Sequence, residues 1–419
     1  MDISFFQADR TEDHRLSVAT ASSAHPDTAQ AVADIVTALM AGRDRLPDFV
    51  SVHHGASRAA HDLWSRLGAA FGAAALHGAT SCQGVMTDRG ILDGTDDAIG
   101  VFAIWNRSGA YGSAMEAFGT SARAAARKAT QSALQRAGRP GEVPEMIWIA
   151  PSPGQEEDVL DGIKDVVGNE ALIVGGSAAD SRLTGAWSVF STDGVSREGI
   201  VVSVLFPSTP LACVYASGYA PTDRRGIVTA TRGRSILEID SRPAAEVYRD
   251  WRDDPAFDPA AERSVFLLQS ALAPLGRKQR EIDGIGTFLM AHPAGTGADG
   301  SLDLFSTVSV GEEVCLMAGS SDGLVQRAGR IARESRDRLG PDGPAGALVV
   351  YCGGCMMAIR DRMPEVVAAL NASLGGAPFL GVFSFGEQGE LPEQGARHAN
   401  LMISCSAFAA RADGTTESR

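Results

Sequence analysis

The sequence predicts an α/β protein of two domains, each a mixed, mostly parallel sheet with flanking helices and added antiparallel strands. Its 419 residues exceed the usual length of one domain, so two are expected. Amphipathic helices alternate with short apolar runs, which favours crossover connections between parallel strands. Glycine is abundant at 47 residues while aromatic residues make up 6%, a balance typical of many tight strand–helix turns.

The first half has clearly marked elements. A helix opens at Pro26–Thr28, places Val32, Ile35 and Leu39 on one face, and ends at Gly42. The next predicted elements are a strand at Phe49–Val52, a helix capped by Ser57, strands at Ala74–Leu76 and Ile99–Ile104, a helix at Phe118–Ala137, a strand at Met146–Ala150, a helix containing Val159 and Val167, and a strand at Leu172–Val174. Antiparallel strands are predicted at Trp187–Ser191, Gly199–Phe206 and Leu211–Ala216, because turn residues separate these β-rich runs.

The second half continues the same pattern. Apolar runs predict strands at Val265–Leu268, Phe288–Met290, Leu302–Val308 and Val314–Met317. A helix from Ser321 toward Leu339, a strand at Leu348–Tyr351, a helix at Met363–Leu374 and strands at Phe379–Phe385 and Leu401–Phe408 follow. No internal sequence repeat is evident. We expect an N-terminal segment at 1–23, a first domain at 24–235, a second domain at 236–410 and a polar tail at 411–419, with the junction near Gly233–Ile239.

Composition excludes several classes of protein. The net charge of -14 argues against a nucleic-acid or anionic-membrane partner, because both require a basic surface. The sequence has no apolar stretch long enough to span a membrane, and acidic residues stand where a secretory signal would be basic, so a cytoplasmic location is expected. Six cysteines dispersed through a chain of this length do not indicate a disulfide scaffold.

Common catalytic and nucleotide-binding motifs are absent from the sequence. There is no phosphate-binding lysine loop, no Gly-x-Gly-x-x-Gly after a strand, no His-Glu-x-x-His and no Gly-x-Ser-x-Gly. These absences lower the expectation of a nucleotide-dependent enzyme or a common metallohydrolase.

Two polar segments follow apolar strands in the first half. Gly176, Ser177 and Asp180 follow one strand, and Ser81 and Cys82 follow another. Glycine lets a ligand approach backbone N–H groups closely, and small hydroxyls or a thiol could contact its polar atoms. A tight structural turn with a buried cysteine explains each segment equally well.

In the second half, a strand runs directly into the Cys-x-x-Cys turn Cys352–Cys355. This spacing is compatible with half of a zinc site, a redox pair or thiols lining a pocket. Zinc is disfavoured because the sequence has no second such pair to complete a tetrahedral site. Glu387, His398 and Asn400 bring an acid, an imidazole and an amide to the edges of two further strands, where a hydrogen-bonded loop histidine is the simplest interpretation.

Taken in order, these segments resemble the FIST family, a FIST_N and FIST_C domain pair, over roughly Ala24 to Ala409. The resemblance rests on Gly175–Asp180, Gly199–Phe206, Ser217–Tyr219, Val228-Thr229, Leu237–Asp240, Pro243-Ala244, Val247-Tyr248, His292-Pro293, Met317–Gly319, Cys352–Gly354, Pro378–Gly381, Phe385–Glu387 and Asn400. It implies an input module that binds small molecules such as amino acids, and one branch of the family resembles haem-based nitric-oxide sensors. Two positions depart from the family: Cys355 stands where arginine is common, and Val85 where an acid is common.

The leading hypothesis from the resemblance is a sensory protein that binds a small ligand and signals through a separate kinase or other output protein. Its candidate ligand-binding residues are Ser81, Cys82, Gly176, Ser177, Asp180, Cys352, Cys355, Glu387, His398 and Asn400. One alternative is a haem-binding gas sensor, with His398, His292 or a cysteine as axial ligand. Another is a hydrolase that uses Cys82 or Cys352 as nucleophile, His398 as base and Glu387 to orient it. No metal site and no certain cofactor are expected.

Overall fold

The structure is a computed structural model that describes residues 15–94, 96–282, 285–391 and 393–411. The first 14 residues and most of the expected polar tail lie outside these ranges. Over the described residues the strands form three six-stranded sheets and one eight-stranded sheet, with helices against their faces. The predicted mixed α/β class is confirmed. Parallel pairs are fewer than predicted, because each six-stranded sheet contains one parallel pair and its other neighbours run antiparallel.

The first unit of the described chain sets a pattern that recurs. Its elements are β1 (Ser17–Ser23), α1 (Thr28–Met40), β2 (Phe49–His54), α2 (Ala60–Phe71), β3 (Ala75–Thr80), a hairpin of β4 (Gly84–Thr87) and β5 (Gly90–Asp93), and β6 (Ile99–Trp105). β2 and β3 are parallel, and β6 lies antiparallel between β1 and β2. α1 begins where predicted, since the Asp27 side chain accepts a hydrogen bond from the N–H of Gln30. α2 has no side-chain cap, because the Ser57 hydroxyl donates to the Asp96 carbonyl instead.

The second unit repeats the same order of elements. These are β7 (Ala110–Ala117), α3 (Ala122–Arg136), β8 (Met146–Pro151), α4 (Glu156–Val167), β9 (Ile173–Gly176), a hairpin of β10 (Val189–Ser191) and β11 (Gly194–Ser196), and β12 (Gly199–Phe206). α3 and α4 pack unusually closely: a Cβ on Gly162 would lie 2.2 Å from the carbonyl oxygen of Arg123. The alanines on the buried face of α3 and Gly162 of α4 therefore allow the two helices to pack this closely.

The third unit contains a large insertion after its first strand. It begins with β13 (Leu211–Ser217). The insertion comprises β14 (Ala220–Arg232), β15 (Ser235–Ile239), β16 (Arg242–Pro243), α5 (Ala244–Arg252), α6 (Arg263–Ala271), β17 (Leu275–Ile282), β18 (Ile285–Ala291), β19 (Pro293–Thr296), β20 (Leu302–Leu304) and β21 (Glu313–Ala318). These strands build the eight-stranded sheet. The unit resumes with α7 (Ser321–Asp337), β22 (Pro344–Cys352), α8 (Gly353–Ala358), a 3₁₀ turn (Arg360–Arg362), α9 (Met363–Leu374), β23 (Phe379–Ser384), a hairpin of β24 (Glu387–Leu391) and β25 (Gly395–Ala399), and β26 (Met402–Ala409).

The three units of the described chain exchange their hairpins in a cycle. The β4–β5 hairpin pairs with β23, the β10–β11 hairpin with β3, and the β24–β25 hairpin with β9. The inner faces of all three sheets share one apolar core, which includes Phe102, Trp148 and Phe408. The fold is thus a closed set of three structural copies although the sequence shows no repeat. Since these sheets join residues from both halves, the predicted domain bounds stay a prediction.

One predicted element has the wrong type. The Val265–Leu268 run, expected to be a strand, lies inside α6, where Phe266 is buried while Val265 and Leu268 are exposed. A run of four apolar residues is short enough for a strand, and periodicity cannot separate it from one helical turn.

Candidate functional site

A cavity of about 250 Å³ lies where β3, β9 and β23 end. Three backbone hydrogen bonds close these strand ends into a ring. They run from the N–H of Cys82 to the carbonyl of Phe383 (2.9 Å), from Phe385 to Ser177 (3.2 Å) and from Ala179 to Thr80 (3.1 Å). The cavity is lined by Cys82, Gln83, Asp180, Ser181, Arg182, Leu183, Ser264, Leu267, Leu268, His292, Phe305, Cys352, Gly353, Gly354, Met357, Ser384, Phe385 and Asn400. Because the ring fixes all three strand ends, the cavity is preformed rather than built from loose loops.

Two buried thiols face the cavity. Cys82 follows β3, and Cys352 ends β22 immediately before α8. A Cβ on Gly353 would lie 3.1 Å from the carbonyl oxygen of Ser384 and 3.4 Å from Cβ of Cys82, so glycine lets α8 pack closely against the ends of β23 and β3. Burial, followed by the charges of Asp180 and Cys352, raises the pKa of Cys82 to about 12. Burial and the neighbouring Cys355 raise the pKa of Cys352 well above its ordinary value. Both groups are therefore protonated thiols at neutral pH, and such thiols are weak nucleophiles.

Glu387 lies beneath the cavity and is fully buried. Its carboxyl group accepts a hydrogen bond from the Ser384 hydroxyl at 2.6 Å and another from the N–H of Met402 at 3.0 Å. Burial, with a further contribution from Cys352, raises the pKa of Glu387 well above its ordinary value. Glu387 thus holds Ser384 and the start of β26 in place from a position where burial disfavours its charged form.

His398 lies behind the cavity wall and does not line the cavity. Its Nδ1 is 3.2 Å from Nε2 of Gln388, and its Nε2 is 3.4 Å from the carbonyl oxygen of Phe305. Gln388 donates to the Ser177 hydroxyl, which donates to Glu156 at 3.0 Å. His398 therefore links two groups. Its Nε2 lies beside the backbone of Phe305, whose side chain forms part of the cavity wall, and its Nδ1 begins the hydrogen-bonded chain that leads to Glu156.

Arg234 completes this polar group, which we call the Phe305 network: Glu156, Ser177, Arg234, Gln388 and His398. Arg234 contacts Glu156 and Glu157 at 2.6 Å and donates to the Phe305 carbonyl at 2.7 Å. Burial alone would raise the pKa of Glu156, but His398 and Arg234 hold it below its ordinary value. The network therefore keeps a buried carboxylate charged and fixes the backbone of Phe305 with it.

Asp180 shapes the rim of the cavity. Its carboxylate accepts hydrogen bonds from the backbone N–H groups of Arg182, Thr184 and Ala186 at 2.8–3.2 Å. These bonds fold the loop that follows β9. Arg182 is exposed on this loop and lines the cavity, and it has no carboxylate partner within the described residues.

Asn400 presents an unused donor to the cavity. Its Oδ1 accepts from the N–H of His292 at 3.3 Å, and this contact fixes which side of the amide is nitrogen. Its Nδ2 is buried and has no hydrogen-bond partner in the described part of the chain. The ring of His292 bonds Ser270 at 3.0 Å through Nε2, and burial lowers the pKa of this histidine to about 4. The wall around Asn400 is therefore uncharged.

The structure brings some of the sequence-predicted residues together and not others. Cys82, Asp180, Cys352 and Asn400 line the cavity, as does the haem candidate His292. Six further predicted residues lie outside its lining: Ser81, Gly176, Ser177, Cys355, Glu387 and His398. The binding roles of all these residues stay predictions.

Three of those six residues have local packing roles. The Ser81 hydroxyl donates to the Gly84 carbonyl at 2.6 Å and accepts from the N–H of Phe383 at 2.9 Å. A Cβ on Gly176 would lie 2.6 Å from Cβ of Ser384, so no larger residue fits there. The Cys355 thiol lies 3.4 Å from the Tyr219 hydroxyl.

Sequence reasoning missed the apolar wall of the cavity. Leu183, Leu267, Phe305 and Met357 contribute to this wall. Nothing in the sequence distinguishes these side chains from core residues. The run Phe383–Phe385 offered the nearest signal, because it alternates aromatic residues with Ser384 at a strand end.

The described geometry does not join either cavity thiol to His398, the base that the sequence predicts, because the His398 ring contacts Gln388 and Phe305. Glu387 contacts Ser384 and Met402 and also interacts with the Cys352 thiol, so it lies beside this cysteine rather than orienting His398. The size of the cavity and the bonds made by the two candidate histidines do not favour haem either. Both ring nitrogens of His398 and Nε2 of His292 already contact protein atoms, and a cavity of about 250 Å³ is below the size typical of drug-sized ligands.

Two further features bear on classes of function. Within the described ranges, no group of three or more His, Cys, Asp or Glu side chains could hold a metal ion. No helix in the same part of the chain combines the length and apolar character needed to cross a membrane.

Comparisons with known proteins place the chain in a family. No curated protein is detectably similar to it. Similar solved structures include cyanuric acid hydrolase from A. caulinodans, at 11% identity and a TM-score of 0.41, covering 94% of this chain and 99% of that one. Another cyanuric acid hydrolase, described as an innovation by structural concatenation, has 12% identity and a TM-score of 0.33 and covers 94% of this chain and 100% of that one. At these scores neither similarity carries an argument.

The family models are more informative. The model of the FIST N domain matches residues 48–242, and that of the FIST C domain matches residues 244–390. The two matches follow each other in the order that the sequence segments predict. The chain belongs to the FIST family.

Proposed function

We propose that this protein is a small-molecule sensor of the FIST type, that its ligand occupies the cavity at the ends of β3, β9 and β23, and that it signals through a separate partner. The unpartnered Nδ2 of Asn400, buried in an otherwise mostly apolar cavity, is the observation that carries this proposal. A buried donor without an acceptor costs about 1–3 kcal/mol, and a ligand acceptor would recover that cost.

The lining defines the chemistry of the ligand. Nδ2 of Asn400 and the protonated thiols of Cys82 and Cys352 are donors, so the ligand presents an acceptor to this side of the cavity. Leu267, Phe305 and other apolar side chains take an apolar body. Arg182 at the rim favours a carboxylate. A small carboxylic or carbonyl compound with a short apolar body matches all three features.

The mouth of the cavity offers a route to a partner. Leu183 and Leu268 line the cavity, yet their side chains are 38% and 43% exposed. Leu183 belongs to the loop after β9, whereas Leu268 belongs to α6 in the insertion. A bound ligand would contact both elements, so it would change the surface that they present together. A cytoplasmic location remains a prediction.

Ligand-shift melting and calorimetry test the proposal. We expect small carboxylates with short apolar bodies to stabilise the protein, and the matching alcohols to stabilise it less. Asn400→Asp keeps the acceptor for the N–H of His292 but removes the donor, so binding is expected to weaken more than tenfold.

Asn371→Asp is the matched control, because the Asn371 side chain donates to the Asp88 carbonyl away from the cavity. This variant should bind as the unmodified protein does. The proposal is wrong if no compound stabilises the protein, or if Asn400→Asp and Asn371→Asp bind equally well. A Soret band after haem reconstitution, or turnover that Cys82→Ala or Cys352→Ala abolishes, would favour the alternatives instead.

A further inference from the structure

Another cleft, of about 530 Å³, lies at the opposite end of the first sheet from the cavity. β2 connects the two regions: the His54 carbonyl at its end accepts from the N–H of Ser81, and its first residue follows Asp48, beside the cleft. A strand of this length spans about 20 Å. The cleft is therefore a separate region and not an extension of the cavity.

Four arginines line this cleft, which we call the arginine cleft: Arg15, Arg43, Arg45 and Arg107. This concentration of positive charge contrasts with the net charge of -14 for the whole chain. Arg45 is neutralised, because it forms two bonds of 2.9 Å with Asp48. Asp44 also lines the cleft and offsets part of the remaining charge.

Three of these arginines lack a carboxylate partner in the described part of the chain: Arg15, Arg43 and Arg107. Arg15 precedes β1, Arg43 lies between α1 and β2, and Arg107 lies between β6 and β7. Three different segments thus each bring an arginine to one concave surface. Elsewhere in the described residues many arginines pair with acids, as Arg123 does with Asp165.

Arg43 is held in a fixed position. Its guanidinium carbon lies 3.6 Å from the centre of the Trp105 ring, and its Nη1 donates to the Ser17 hydroxyl at 3.1 Å. Trp105 is itself anchored, because its indole N–H donates to the Arg45 carbonyl at 2.9 Å. Burial and the charge of Arg45 lower the pKa of Arg43. A preorganised guanidinium loses little entropy when it binds an anion.

We propose that the arginine cleft binds a small molecule carrying a diphosphate group, either free or as part of a nucleotide. Guanidinium groups bind phosphate oxygens in pairs of hydrogen bonds. Three of them on separate segments require a ligand with more than one anionic group, and a single carboxylate would engage one or two. At close range each added negative charge on the ligand gains attraction to these guanidinium groups, while salt screens the more distant acidic residues of the chain.

Calorimetry on the full chain with inorganic pyrophosphate tests this proposal. Pyrophosphate is expected to bind at 50 mM salt, and its affinity is expected to fall as the salt concentration rises. Arg107→Ala and Arg15→Ala should each weaken binding about tenfold, since a hydrogen bond to a charged group is lost. Arg107→Lys keeps the charge but loses the paired hydrogen bonds. Its affinity for pyrophosphate should therefore lie between those of Arg107→Ala and the unmodified protein.

Arg330→Ala is the matched control, because Arg330 is exposed on α7 and also lacks a carboxylate partner among the described residues. Binding that survives in Arg330→Ala but falls in the two cleft variants supports the proposal. Absence of pyrophosphate binding at 50 mM salt, or an equal loss in Arg330→Ala, overturns it. Adenosine diphosphate distinguishes the sources: tighter binding than pyrophosphate indicates a nucleotide, and equal binding indicates the diphosphate group alone.

Discussion

Two buried regions that contain histidine differ in how their polar atoms are satisfied. In the Phe305 network, Glu156 faces Arg234 and a hydrogen-bonded chain leading to His398. Between the first two sheets, in contrast, His53 and His77 lie with ring centres 6.1 Å apart and no acid beside them in the described residues. The Nε2 atoms of both histidines are buried and lack a partner among those residues.

The difference shows how this fold controls charge. The Phe305 network pairs buried groups of opposite sign, so a carboxylate remains ionised in the interior. The His53–His77 region, packed against Trp148, has no opposite charge to offset desolvation. Burial therefore lowers the pKa of His53 to about 3 and that of His77 well below its ordinary value. One region stabilises a charge beside the cavity, and the other excludes charge from the core.

Removing the central acid of the Phe305 network should have the largest effect. We expect Glu156→Ala to lower the free energy of unfolding by about 3 kcal/mol at pH 7, because breaking a buried pair leaves its partner uncompensated. Glu157, which also contacts Arg234, keeps the expected loss at the lower end of the usual range. Urea unfolding measures the change.

The control for this prediction is Glu157→Ala. Glu157 contacts the same arginine, but its side chain is 38% exposed, so its loss should cost less than about 1 kcal/mol. Equal losses of unfolding free energy in the two variants would show that burial of Glu156 adds nothing to its contribution. The contrast between a charged and an uncharged buried region would then have no effect on stability.

Acid should destabilise the protein through the His53–His77 region. An unfolded histidine has a pKa near 6.5, above the folded value of about 3 for His53. Between these values the unfolded state binds more protons, so the free energy of unfolding falls as pH is lowered from about 6.5. Each such histidine contributes a slope of up to about 1.4 kcal/mol per pH unit.

The variant His53→Leu isolates this contribution. It removes one titrating group and one unpartnered ring nitrogen, so the pH slope should become shallower by about one proton while stability at pH 7.5 changes little. Urea unfolding at several pH values between 4 and 7.5 measures both quantities. An unchanged slope in His53→Leu would contradict the assignment.

The sequence was informative about local secondary structure and much less informative about which strands pair with each other. The amphipathic face of α1, with Ile35 and Leu39, is a local pattern and predicts the helix correctly. The hairpin exchange could not be predicted, because Val85 pairs with Val382 and no local pattern encodes so distant a partner. The three structural copies could not be predicted for the same reason, because they are related by strand pairing and not by a repeated sequence.

The candidate site shows a similar limit. Polar residues at strand ends, such as Cys82 and Cys352, could be proposed because glycine and small polar residues interrupt an apolar run there. The cavity wall formed by Phe305 and α6 could not be proposed from the sequence, because its side chains are of the same apolar types that fill an ordinary hydrophobic core. The role of His398 also depends on a tertiary contact, that between its ring and the Phe305 carbonyl.

The smallest expected effect compares two buried tyrosines near Cys355. Tyr219 donates to the Ala271 carbonyl at 2.7 Å, whereas the Tyr351 hydroxyl is buried without a partner in the described residues. Tyr219→Phe should therefore cost about 1 kcal/mol in the free energy of unfolding, the usual net value of one hydrogen bond. Tyr351→Phe removes a hydroxyl that already lacks its bond, so stability should stay unchanged or rise slightly. Urea unfolding of the two variants at pH 7 measures the difference, and a larger loss for Tyr351→Phe would mean that its hydroxyl has a partner, such as an internal water.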